Sequence, residues 1–75
     1  MSLKKDLAKE ISILEKEMRE LESKRDRSMA ALMEAVVSKR DPEEVELQFF
    51  RQYTSEIEVK REQLQKLTKQ LEALV

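Results

Sequence analysis

The sequence predicts an all-α fold, a two-helix antiparallel coiled-coil hairpin that completes a helical bundle by dimerisation or partner binding. Three observations carry this. The 75 residues contain no glycine, the only proline (Pro42) lies just past the midpoint, and apolar residues recur at steps of three and four on both sides of it. Proline conflicts with a helix interior, so Pro42 divides the chain into two helices rather than bending a continuous one. High charge with few aromatics is also the signature of disordered chains, but the regular apolar spacing argues for helices. The chain then reads as one hairpin domain, 1–75, with helix 1 at about 2–39, a turn at 40–41 and helix 2 at about 42–75.

Helix 1 has Ser2 as its N-cap candidate. Its seam runs Leu7, Ile11, Leu14, Met18, Leu21 and then Leu32 and Val36, the alternation of four and three that marks a and d positions. The same register places polar Arg25 and Ser28 on the seam. Lys39 and Arg40 put positive charge near the negative end of the dipole. With no glycine to take a left-handed conformation, helix 1 is expected to run nearly to Asp41 and turn abruptly.

Helix 2 is expected to open with Asp41 as N-cap and Pro42 at the first helical position, where its missing N–H costs nothing. Glu44 would complete a capping box and Glu43 would favour the positive end of the dipole. Its seam follows Phe50, Tyr53, Ile57, Leu64, Leu67, Leu71 and Leu74, with Lys60 as the exception. At the helical rise the two helices are roughly 55 and 50 Å long.

A short connection makes the helices antiparallel neighbours, so facing residue numbers should sum to about 82. Met18 then faces Leu64, and Leu7 faces Leu74 and Val75. Arg25 comes near Ile57 and Glu56, and Lys60 near Glu22. These long side chains either snorkel outward while their stems pack or fix the register as polar seam residues.

Apolar residues remain beyond the seam. On helix 1 the candidate partner or dimer interface comprises Met29, Leu32, Met33, Val36 and Val37; on helix 2 it comprises Val45, Phe49, Phe50 and Tyr53. The pairing rule sets Met33 opposite Phe49 and Val37 opposite Val45, gathering one broad apolar face at the turn end. Aromatics dominate interface energies and methionine adapts to irregular surfaces. Ile13 and Val59 stand alone.

Several function classes are not expected. Without cysteine or histidine there are no disulfides, no thiolate chemistry and none of the commonest zinc sites. No nucleophile–base pair or glycine-rich phosphate loop is present, so no catalytic, cofactor-binding or metal residues are assigned. An enzyme, a cofactor and a small-molecule substrate are therefore not expected. Fifteen Lys and Arg balance sixteen Asp and Glu, and the basic group Lys24, Arg25, Arg27 is interleaved with acids and lacks aromatics, which disfavours nucleic acid. The longest uncharged run, 28–33, is too short for membrane insertion. With no secretory signal visible, the expected location is the cytoplasm.

The stretch Asp41-Pro42-Glu43-Glu44, after the helix end Ala30-Ala31-Leu32-Met33-Glu34-Ala35, resembles the small E-type co-chaperones of type III secretion needle subunits. The likeness covers residues from about Ser28 to Leu67. It implies a helical hairpin that joins a larger helical-repeat chaperone in the cytoplasm to keep a needle subunit soluble, with Phe49, Phe50 and Tyr53 in the contact.

Two roles are left open. In one the chain is a non-enzymatic protein–protein interaction module, a small assembly adaptor or co-chaperone, whose partner covers the turn-end face. In the other it is a self-associating structural or regulatory homodimer, a four-helix bundle with or without nucleic acid, whose core is that face.

Overall fold

The computed structural model describes residues 2–75. Among them are two helices, α1 (Leu3–Val37) and α2 (Glu44–Ala73), and no strand. They pack against each other as an antiparallel hairpin, a rod measuring 56 × 16 × 14 Å. Ser2 occupies the N-cap of α1 through its carbonyl, which accepts the Asp6 N–H at 3.0 Å, while its side chain makes no capping bond.

The seam follows the heptad spacing. On α1 the inward residues are Leu7, Ile11, Leu14, Met18, Leu21, Arg25, Ser28, Leu32 and Ala35, each buried or half-buried. The polar pair Arg25 and Ser28 therefore stays in register. Val36 does not: it is 63% exposed, and Ala35 is fully buried in its place. The reason is the alternation itself. The step from Ser28 to Leu32 is four residues, so the next seam position lies three further on, at Ala35.

On α2 the half-buried or buried series runs from Leu47 through Phe50, Tyr53, Ile57, Lys60, Leu64 and Leu67 to Leu71. Leu74 lies beyond it and is exposed. Met18, Leu21 and Ile57 form the core cluster, with Tyr53 and Leu64 packed against it. Thr54 Oγ1 donates to the Phe50 carbonyl at 2.9 Å, so this half-buried hydroxyl is satisfied within its own helix.

The connection departs from the expected two-residue turn. α1 ends at Val37 and α2 begins at Glu44. Lys39 has φ of 57° despite not being glycine. Its N–H bonds the Val36 carbonyl at 3.1 Å, and the Arg40 N–H bonds the Ala35 carbonyl at 3.0 Å. These two bonds make a Schellman closure, which satisfies carbonyls that the helix end would otherwise leave free. Satisfying them outweighs the cost of a left-handed lysine, on the order of 1–2 kcal/mol.

Asp41 consequently does not cap α2. It precedes proline and is disfavoured from helical geometry, and Glu43 is extended at φ −67°, ψ 141°. Glu43 takes the N-cap position, again without a side-chain bond; its carbonyl accepts the N–H groups of Glu46 (3.1 Å) and Leu47 (3.2 Å). Pro42 sits outside the helix, directly before the N-cap, and it and Leu47 are both half-buried at the spacing of a hydrophobic staple.

This path also shifts the register. By Arg40 the chain has already doubled back to the level of Ala35. Extended residues then advance about 3.3 Å each, twice the helical rise, before α2 starts. Helix 2 is thus displaced toward the N-terminus of α1 relative to the expected pairing. Ile57 packs on Met18 and Leu21 instead of Arg25. Lys60 reaches Glu17, not Glu22. Leu7 is buried although Leu74 and Val75 are exposed.

Candidate interaction faces

An antiparallel hairpin of two helices has two broad faces, one along each edge of the seam. A residue one step after a d position and a residue one step before an a position lie on opposite edges of a helix. Across an antiparallel pair, like edges meet.

Along one edge the surface is grooved. Glu17, Leu21, Lys24, Glu56, Val59 and Lys60 line a recess of about 490 Å³. Toward the termini it shares Gln63 with a second recess of about 450 Å³ that includes Ile13, Leu14 and Leu67. Toward the turn it shares Lys24 with a third, of about 320 Å³, closed by Arg27, Ser28 and Tyr53. The shared residues make this one continuous groove. Phe49 extends it toward the turn, its ring stacked on Tyr53 with centroids 6.1 Å apart and planes 13° from parallel.

The nine residues expected to form one turn-end face are divided by this geometry. Leu32, Phe50 and Tyr53 are half-buried in the seam. Val45 and Phe49, both roughly half exposed, stand on the grooved edge of α2. Met29 and Val36 each follow a seam residue, Ser28 and Ala35, and so stand with Met33 on the opposite edge of α1. Val37 points away from the seam and is 78% exposed. The expectation that Met33 faces Phe49 and Val37 faces Val45 treated position along the axis alone. Their angular positions separate them.

Electrostatics in the seam centre on one pair. Lys60 Nζ donates to Glu17 Oε2 at 2.6 Å, with both side chains partly open to solvent. Among the described residues no polar side-chain atom is buried without a hydrogen-bond partner.

Ile13 and Val59, isolated in the sequence, both line the grooved edge. Composition signals Val59. Along the outward side of this edge, α2 presents Val45, Phe49, Gln52, Glu56, Val59, Gln63, Lys66, Gln70 and Ala73. Only Glu56 and Lys66 are charged, in a chain that is 41% charged, and such depletion marks interface cores.

No helix among the described residues is long and apolar enough to cross a membrane. No known protein family, characterised protein or solved structure matches the chain.

Proposed function

We propose that the chain is a non-enzymatic protein–protein interaction module, a small assembly adaptor or co-chaperone that works in the cytoplasm, and that its anchor is the methionine–valine edge at the end of α1. The observation that supports this is the exposure of Met29, Met33, Val36 and Val37, between 42% and 78%, beside a core of five buried residues among those described. A hairpin with so little of its own to bury gains most from covering such a stripe; each large side chain fully buried contributes about 1.5–3 kcal/mol. Methionine suits the role because its flexible thioether adapts to the surface it meets. Leu47, half-buried on the adjoining edge of α2, widens the stripe across the seam.

In its specific form the proposal is a partner of a larger helical-repeat chaperone, of the type III secretion kind, with the methionine–valine edge as the contact in place of the Phe49, Phe50 and Tyr53 contact that the resemblance implies. The layout of Ala30–Ala35 and Asp41–Glu44 favours that form. Co-purification from the source cell tests it. Wild-type chain and a Gln48→Glu control should recover one partner in fixed stoichiometry, and Met33→Glu with Val36→Glu should lose it. Equal recovery by the double variant would sink the assignment of this edge.

A further inference from the structure

We propose that the grooved edge is the interface of a homodimer, in which a second copy packs face to face about a two-fold axis through the Glu17–Lys60 pair, with the two turns at opposite ends. The inference rests on charges and grooves that the docking proposal does not use.

Apart from Glu20 and Glu34, the charges along this edge reverse sign across Glu17. On α1, Asp6 and Glu10 lie on the terminal side and Lys24 and Arg27 on the turn side. Glu10 and Lys24 stand seven residues either side of Glu17, and Asp6 and Arg27 mirror each other to within one residue. On α2, Glu56 and Lys66 lie four residues before and six after Lys60, so their mirror point falls one residue beyond it. The 2.6 Å contact of Lys60 Nζ with Glu17 brings the mirror points of the two helices to within about one helical turn of each other along the rod. A single two-fold axis therefore serves both.

That operation sets each helix antiparallel to its copy. It brings Glu10 to Lys24 of the second copy, Asp6 to its Arg27 and Glu56 to its Lys66, each pair occurring twice. Gln52 meets Gln70, Phe49 meets Ala73 and Leu3 meets Ala31. Glu20 meets the apolar Ile13. The like-charged meetings are Glu17 and Lys60, each with its own copy on the axis, where the two form an ion pair within each chain and bring alternating charge together.

Size and shape agree. A hairpin face 56 Å long and 16 Å wide matches the roughly 800 Å² per partner of a standard stable interface. The continuous groove between the helices has room for side chains of a facing pair, and closing it would cover Leu14, Leu67, Val59 and Phe49. The opposite edge, which carries Arg19, Glu22, Asp26, Glu58 and Arg61, faces away from the second copy. Met29, Met33 and Val36 lie on that opposite edge and stay open in the dimer.

Charge-reversed chains provide the test, because the four α1 residues concerned are exposed and do not support the hairpin core. The wild type should sediment at twice the 8.9 kDa chain mass at tens of micromolar. Lys24→Glu with Arg27→Glu, and separately Asp6→Lys with Glu10→Lys, should each lose the doubled mass. An equimolar mixture should restore it, since each chain then opposes acid to base at every site. If a reversed chain unfolds alone, the mixture should recover helicity together with mass. A helical wild type at single mass overturns the proposal, as do reversed chains that keep doubled mass or a mixture that stays monomeric. Met33→Glu with Val36→Glu, which tests the docking edge, should leave the doubled mass unchanged; its loss would place the dimer on the other face.

Discussion

Lys60 donates a 2.6 Å hydrogen bond to Glu17 across the helix seam, more than one helical turn from Glu22, the carboxylate that a symmetric turn would have offered it. That pair records where α2 settled along α1, and it lies in the middle of the grooved edge. Neither partner is deeply buried: the side chains are 27% and 43% exposed. Its contribution to stability is accordingly small, and its value lies in marking one alignment over others.

Substituting Glu17→Gln should cost less than about 1 kcal/mol, the range of exposed ion pairs. Lys60→Leu should match or exceed wild-type stability, because a seam position then gains apolar burial and loses no obligatory bond. Urea denaturation of both variants checks this, and a loss of several kcal/mol for either would show the pair to be a structural keystone.

The alignment itself is open to crosslinking in a chain with no cysteine of its own. Glu17→Cys with Lys60→Cys should oxidise to an intramolecular disulfide. Glu22→Cys with Lys60→Cys should not, since disulfide geometry tolerates Cα separations only up to about 7 Å. Mass spectrometry after proteolysis distinguishes the two results at concentrations low enough to exclude intermolecular bonds.

Ile57 is the large side chain most completely buried, at 1% exposure. Truncation to alanine should cost about 2–5 kcal/mol, by lost transfer energy and an unfilled cavity. Val37→Ala, at the exposed end of α1, should change stability by less than about 0.5 kcal/mol. Thermal melts followed by circular dichroism give both values, and comparable losses would contradict the placement of the core.

The turn makes an opposite pair of predictions. Lys39→Gly should stabilise by about 0.5–1 kcal/mol, since glycine takes positive φ without steric cost. Ala35→Leu should destabilise by about 1–3 kcal/mol, because the returning chain leaves its side chain no exposed surface. A destabilised Lys39→Gly would mean that the closing residue is not left-handed in solution.

Much of this fold is written in residue spacing. Leu7 to Leu32 follow a four-and-three alternation clear enough to keep Arg25 and Ser28 in the seam against their polarity. The same alternation indicated Ala35, but the greater hydrophobicity of Val36 drew the assignment one residue too far. Register is harder to read. It depends on Lys39 adopting positive φ, and lysine, unlike glycine or asparagine, does not announce that choice. Asp41-Pro42 has the composition of a helix start, yet the path from Arg40 needed extended residues first. The division of the apolar surface was legible in principle, because Met29 follows a seam residue while Phe49 precedes one. Pairing by number alone hid it. The groove is legible on α2, where Val59 belongs to a charge-poor run, but not on α1, where Ile13 stands without apolar neighbours at helical spacing.

The doubled-back connection has a kinetic meaning as well. Closing its few residues is the one loop closure the chain must make, a step on the order of 10–100 ns for a segment of this length. Every later layer of the seam then joins residues already held near each other, so the entropy of closure grows slowly outward. Folding should proceed from Ala35 and Leu47 toward Leu7 and Leu71. Weakening Ala35 should slow folding, whereas truncating Leu7 should chiefly hasten unfolding. Amide protection should decline in the same order, from the turn end to the open end of the rod.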